Sequence, residues 1–106
     1  MTDTASRIIG PMLLTNSSAT LYTVPGGTTA IVRLIHIANT SGSAATVKLS
    51  IGADAAGTRF LGDLSIAANG TYDWSGFLPV EAAELIKGHS GTNNVLNITV
   101  AAVLVT

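Results

Sequence analysis

The sequence predicts an all-β fold: a single β-sandwich, jelly-roll-like, of seven to eight mostly antiparallel strands. Three observations carry that prediction. Runs in which apolar and polar residues alternate recur along the chain, as at 47–51 and 95–105. Clusters of Gly, Pro, Asn and Ser separate these runs at short intervals. No run has convincing helical periodicity, and the one helix-like stretch, Glu81-Ala82-Ala83-Glu84-Leu85, is too short to be stable alone.

In chain order, residues 1–6 are small and polar and are expected to form a flexible lead-in to a single domain spanning 1–106. Residues 7–14 are apolar but interrupted by Gly10-Pro11. Proline has no N–H for a ladder, so this is an edge strand or a strand broken at a bend. After the Thr15-Asn16-Ser17-Ser18 turn comes a short strand, 19–24, with Leu21 and Thr23 on one face and Tyr22 and Val24 on the other. Pro25-Gly26-Gly27 is the sharpest turn signal and predicts a hairpin into 28–39, the longest strand. Strict alternation there gives one set of Ile31, Arg33, Ile35 and Ile37 and another of Ala30, Val32, Leu34, His36 and Ala38. Both sets are largely apolar, which predicts a central strand with one face in the core and the other against a sheet partner or subunit.

A small-residue loop at 40–44 precedes a strand in which Val47, Leu49 and Ile51 alternate with Lys48 and Ser50. A weaker strand, 58–66, contains Gly62-Asp63, which suggests a bulge. Asn69-Gly70 is a strong hairpin dipeptide before 71–77, where Tyr72, Trp74 and Gly76 oppose Asp73, Ser75 and Phe77. Pro79 assigns 78–84 to a connection, and strands at 85–90 and 95–105 complete the chain.

A chain of 106 residues builds one core. Charged residues make up only 10% and hydrophobic residues 47%, against roughly 25% charged in an ordinary soluble domain. Mean hydropathy is +0.50. So few charges leave much of the surface neutral or apolar, which predicts contacts with other chains. The net charge of −1 and the scattering of Arg7, Arg33, Lys48, Arg59 and Lys87 argue against nucleic-acid binding. The absence of cysteine excludes disulfides and thiolate chemistry. With neither a secretion-like apolar run at the start nor an apolar stretch of membrane-spanning length, the expectation is a chain kept in the cytosol and off membranes.

Candidate chemistry is sparse. His36 and His89 lack a companion motif for a metal or a base, and a hydrogen-bonded strand or interface histidine is the better account of His36. Asp54, Asp63 and Asp73 lack the dense spacing of a calcium loop and are expected to cap turns. Pro25-Gly26-Gly27 lacks the lysine and helix of a phosphate loop, and Ser75 lacks the setting of a nucleophile elbow. Tyr72 and Trp74 suit either a stacking platform for a sugar or anchors of the core or an interface. No catalytic, cofactor-binding or metal-binding residue is expected, and no cofactor. Tyr22, Arg33, His36, Tyr72 and Trp74 are the candidate interface or core anchors.

The segments Leu21-Tyr22-Thr23-Val24-Pro25-Gly26-Gly27-Thr28-Thr29-Ala30, Ile35-His36-Ile37-Ala38-Asn39-Thr40 and Ala68-Asn69-Gly70-Thr71, with the closing alternating strand, resemble a family of small β-sandwich virion proteins. These belong to tailed bacteriophages and prophages, where the domain stands alone or is fused to tail and fibre proteins. The resemblance covers roughly residues 19–105 and rests on turns and strands. Where a Gly-Asp turn would be expected, the chain has Ala83-Glu84. The resemblance implies a non-enzymatic structural subunit of the virion, repeated as a homotrimer or other symmetric oligomer. Its implied partners are the major capsid protein or tail and neck proteins. Capsid decoration is the first expectation, a tail or neck position the second, and a carbohydrate-binding module using Tyr72 and Trp74 the third.

Overall fold

The computed structural model describes residues 3–106. Eight strands lie among them: β1 (Asp3–Leu13), β2 (Ala19–Thr23), β3 (Thr29–Asn39), β4 (Ala45–Ile51), β5 (Arg59–Ile66), β6 (Thr71–Val80), β7 (Leu85–Ser90) and β8 (Leu96–Val105). They form two four-stranded sheets. Sheet A has the order β1-β8-β3-β6 and sheet B the order β2-β7-β4-β5, with every neighbouring pair antiparallel. The pairings 1·8, 2·7, 3·6 and 4·5 are those of one long hairpin folded at the β4–β5 loop and then rolled into two layers. That order is the jelly roll.

Rolling explains two departures from the sequence reading. The Pro25-Gly26-Gly27 and Asn69-Gly70 segments do make tight turns, with Thr28 N–H donating to Pro25 O at 3.2 Å and Gly70 N–H to Ala67 O at 2.9 Å. Yet the strands they join lie in different sheets, so both are corners between layers and not hairpins. Turn dipeptides fix the local reversal; which strand becomes the hydrogen-bonded neighbour is decided by packing. Residues 81–85 form a turn of the same kind, closed by Glu84 N–H to Glu81 O at 3.1 Å, with Ala83 at φ 68°.

The core lies between the sheets. Ile9, Val32, Ile35, Ile37, Ile98 and Val100 of sheet A face Val47, Leu49, Ile66 and Ile86 of sheet B, none more than 3% exposed. Each such side chain contributes about 1.5–3 kcal/mol on burial.

Sheet A is bulged along a line that crosses its strands, and β1 carries a second bulge between Ile9 and Met12. Between Val32 and Leu34, β3 carries one residue more than β8, and between Arg7 and Ile9, β1 does the same. Opposite β3, strand β6 adds a residue between Ser75 and Leu78. The bulge at Arg33 breaks the strict alternation expected for β3. Inward positions run Ala30 and Val32, then Ile35, Ile37 and Asn39, and Leu34 and His36 turn outward. An extra residue shifts every later side chain to the other face, and no composition signal marks it.

Two further boundaries differ. From Asp3 onward the expected lead-in is strand, with Asp3 to Ser6 registered against Val105 to Ala102 of β8, because β8 would otherwise present an unpaired edge there; Met1 and Thr2 lie outside the described residues. Strand β6 continues through Pro79, which is tolerated because β6 is the edge of sheet A.

Asn39 ties the layers together at one end. Its Nδ2 donates to Ser43 O at 2.8 Å and Ile66 O at 3.0 Å, and its Oδ1 accepts from Ser41 N–H at 3.0 Å. A buried amide whose groups are all used links β3, the β3–β4 loop and β5. Asn39→Asp keeps the shape but sets a carboxylate against two carbonyl oxygens. It is expected to lower unfolding stability by about 2–4 kcal/mol, read from urea denaturation. At Gly10 (φ +69°) a Cβ would stand 2.0 Å from Ile98 O. In the same assay Gly10→Ala is expected to cost about 2–5 kcal/mol. Gly26→Ala, with nothing within 4 Å, should stay within about 0.5 kcal/mol.

Candidate interaction surfaces

The two outer faces of the sandwich differ in chemistry. Outside sheet B, Lys48 of β4 stands opposite His89 of β7, and the β4–β5 loop folds Asp54 onto them. Arg59 Nε donates to Asp54 Oδ1 at 2.7 Å, His89 Nδ1 lies 3.9 Å from Asp54 Oδ2, and Lys48 Nζ lies 3.3 Å from Asp63 Oδ1. The Arg59 hydrogen bond, reinforced by the positive charge of Arg59, His89 and Lys48, outweighs partial burial and holds the Asp54 carboxyl below its ordinary value; the same bond raises Arg59. The charges here are largely spent on one another.

Outside sheet A the surface combines exposed apolar side chains with two arginines, Arg7 and Arg33, that make no ion pair among the described residues. Leu34 (40% exposed) and Phe77 (65% exposed) project from β3 and β6 beside Ile31, Pro79 and Val103. The other exposed large hydrophobic residues among those described, Met12 and Leu13, also belong to this sheet. Among the described residues His36 Nδ1 meets Asp73 Oδ1 on this face, a cross-strand pair. Arg7 and Arg33 line a shallow depression of about 370 Å³ floored by Ala5, Ser6, Ala101, Ala102 and Val103.

A third feature is an apolar slot of about 180 Å³ lined by Ile35, Phe60, Leu61, Tyr72, Trp74 and Leu78. It opens where the edge strands β5 and β6 are not joined. Gly76 makes room for the indole of Trp74, since a Cβ there would stand 2.8 Å from its Cζ2.

The sequence-derived anchors therefore divide. Tyr22, Tyr72 and Trp74 are half-buried and pack against the core. Arg33 and His36 face out from sheet A. His36 and His89 lie on opposite outer faces and do not meet. Asp54, Asp63 and Asp73, expected as turn caps, each engage a basic side chain instead. Among the described residues no three His, Asp or Glu side chains gather to hold a metal. No helix among the described residues is long and apolar enough to cross a membrane. Sequence reasoning missed Arg7, Leu34, Phe77 and Asn39. The Asn39-Thr40-Ser41 run after a strand was an available turn signal, but the others needed the register.

No family model matches the chain, and no curated protein matches it. Solved structures do. A chain of Bacillus endospore appendages, described as a novel family of disulfide-linked pili, aligns with TM-score 0.57 at 10% identity over 99% of this chain and 88% of that one. A chain of the acid-stable capsid of Helicobacter pylori bacteriophage KHP30 aligns with TM-score 0.53 at 10% identity, over 97% and 92%. A chain of infectious bursal disease virus, Gx strain, aligns with TM-score 0.53 at 4% identity, over 97% of this chain but 31% of that one. At these identities the likeness is one of fold.

The Asp54 pair yields a pH test. Because its carboxyl titrates below the ordinary 3.8, its contribution is complete above that value and is lost as pH falls through the lowered one. Asp54→Asn is therefore expected to be less stable than the parent chain at about pH 7, with the difference shrinking as pH falls below the ordinary carboxylate value. Urea midpoints measured across that range check it, and a constant difference would rule the ion pair out as the cause.

Proposed function

We propose that this chain is a structural protein of a tailed-phage virion, an accessory that decorates or cements the capsid. In this reading it acts as a trimer or other closed oligomer and adds buried area across joints between capsid subunits. The observation that carries it is the contrast between the faces. On sheet B's exterior Lys48, Arg59, Asp54 and Asp63 pair with one another, and sheet A's exterior offers the exposed Leu34 and Phe77 with the unpaired Arg7 and Arg33 to another chain. The fold supports the reading, since it is shared with a chain of a phage capsid of nearly the same length. The appendage likeness points less directly here, because this chain has no cysteine for a disulfide link. A glycan platform is not favoured: Tyr72 and Trp74 line the slot and pack on the core.

Quantitative mass spectrometry of purified particles tests the assignment, with the expected result a near-fixed ratio to the major capsid protein. A few copies per particle would move the protein to the tail or neck, and its absence from particles would refute the virion reading. Trp74→Ala should lower stability by about 2–4 kcal/mol through loss of packing. Loss of glycan binding with stability unchanged would instead revive the stacking platform.

A further inference from the structure

We propose that the Arg7–Arg33 depression on sheet A receives the Glu81–Glu84 turn of a second copy of this chain. The inference rests on the assembly reading above and adds the contact that would carry it.

The first observation concerns which charges are left over. Asp54, Asp63 and Asp73 each have a basic partner. Asp3, Glu81 and Glu84 make no ion pair among the described residues, and all three lie at the same end of the sandwich. Asp3 opens β1 opposite Val105, which pairs with Thr29 on its other side, and the turn follows Val80, the partner of Ala30. Of the cations, Lys48 and Arg59 are paired. Arg7 and Arg33 have no ion pair among the described residues and stand together on the outside of sheet A. Lys87, the remaining one, faces out from sheet B. Negative charge is thus in excess at one end and positive charge on one face. A single copy cannot bring the two together, because the turn and the depression are fixed parts of one sandwich.

The second observation is local shape. Arg7 and Arg33 come from β1 and β3, on either side of β8, so their backbones stand about 10 Å apart, two strand spacings. Between them Ala101, whose side chain faces out, leaves the floor low. Both strands carry their extra residue at this level: Ile8 follows Arg7, and Arg33 is itself the bulged residue. Bulges re-aim side chains in this way. The turn is the counterpart. Its tip is Ala82-Ala83, both exposed, flanked by Glu81 and Glu84. Ala83 N–H donates to Val24 O and Val24 N–H to Glu84 O, each at 3.0 Å, so the tip is held against the β2–β3 corner. The Glu84 carboxylate accepts the Glu81 N–H at 2.7 Å, which orients one oxygen inward and leaves the other free. Two methyls between two carboxylates meet a small-residue floor between two guanidiniums, the planar donors suited to carboxylates.

The donor and receiving surfaces are different patches, so the contact is heterologous. It closes into a ring if the rotation between copies allows and otherwise runs on as a filament.

Two charge-reversed variants test it, Arg7→Glu/Arg33→Glu and Glu81→Arg/Glu84→Arg, studied by sedimentation at low and high salt after circular dichroism confirms folding. The parent chain is expected to self-associate, more weakly as salt rises. Each variant alone should show an association constant lowered at least about tenfold. An equimolar mixture of the two should associate again, because each then presents the charge the other lacks. Association unchanged in either variant, or a mixture of folded variants that stays apart, would overturn the contact while leaving the virion assignment to the particle ratio. A parent chain monomeric at all concentrations would overturn it as well. So would an arginine-reversed variant that self-associates normally but no longer binds particles, which would give the depression to another virion protein.

Discussion

Strand β8 is the constraint to which the rest of sheet A adjusts. It lies between β1 and β3 and pairs along nearly its whole length with both, so its backbone groups are used on each side. Its inward residues, Leu96, Ile98, Val100 and Ala102, alternate without interruption and are at most 3% exposed. With β8 held straight by two ladders and a buried face, any extra residue must be taken up by its neighbours. Both take one at the level of Ala101 and Ala102, β6 follows β3, and β1 takes a second between Ile9 and Met12. One line of bulges across the sheet is the geometric consequence, and the outward turn of Leu34 and His36 follows from it.

A chain with so few charges solves solubility and assembly with the same residues. Outside sheet B, the Lys48–Asp63 and Arg59–Asp54 pairs keep a polar face hydrated while cancelling one another's charge, which leaves Lys87 as the one basic group there without a carboxylate among the described residues. Exposed pairs of this kind add little stability; their effect is on which surface stays wet. The outer face of sheet A has no comparable cover. The difference between the faces, more than the low total charge, gives the sandwich a side.

The fold was largely legible in the sequence because a jelly roll writes its strands locally. Alternation at 47–51 and along β8, the Tyr72/Trp74 face of β6 and the Gly62-Asp63 bulge all depend on neighbours in sequence. What stayed hidden depends on partners far along the chain. Nothing local says that the Pro25-Gly26-Gly27 turn hands the chain to the other sheet, or that Arg33 is a surplus residue. Nor could the candidate surfaces be read: Arg7 and Arg33 become neighbours only through a shared pairing with β8, and Phe77 joins Leu34 on the outer face only through the pairing of β6 with β3. The aromatic residues drew attention as possible binding groups, yet two sheets open at one edge need large side chains there to close the gap, and Tyr72 and Trp74 do that.

Two residues are poor choices for the fold alone. Ala101 lies in a strand flanked on both sides, where a β-branched side chain would favour the pleated backbone more than alanine does. Ala83 sits at φ 68°, a conformation costing a non-glycine residue about 1–2 kcal/mol that glycine avoids. Local rules broken without a structural return tend to mark positions serving something besides folding. A larger side chain at position 101 would fill the floor between the two arginines, and a glycine at position 83 would remove a methyl from the tip of the acidic turn and let the tip flex. Each alanine is unfavourable in its own element, and both fit one surface contact between copies. A requirement of the fold alone would leave their joint occurrence without a cause.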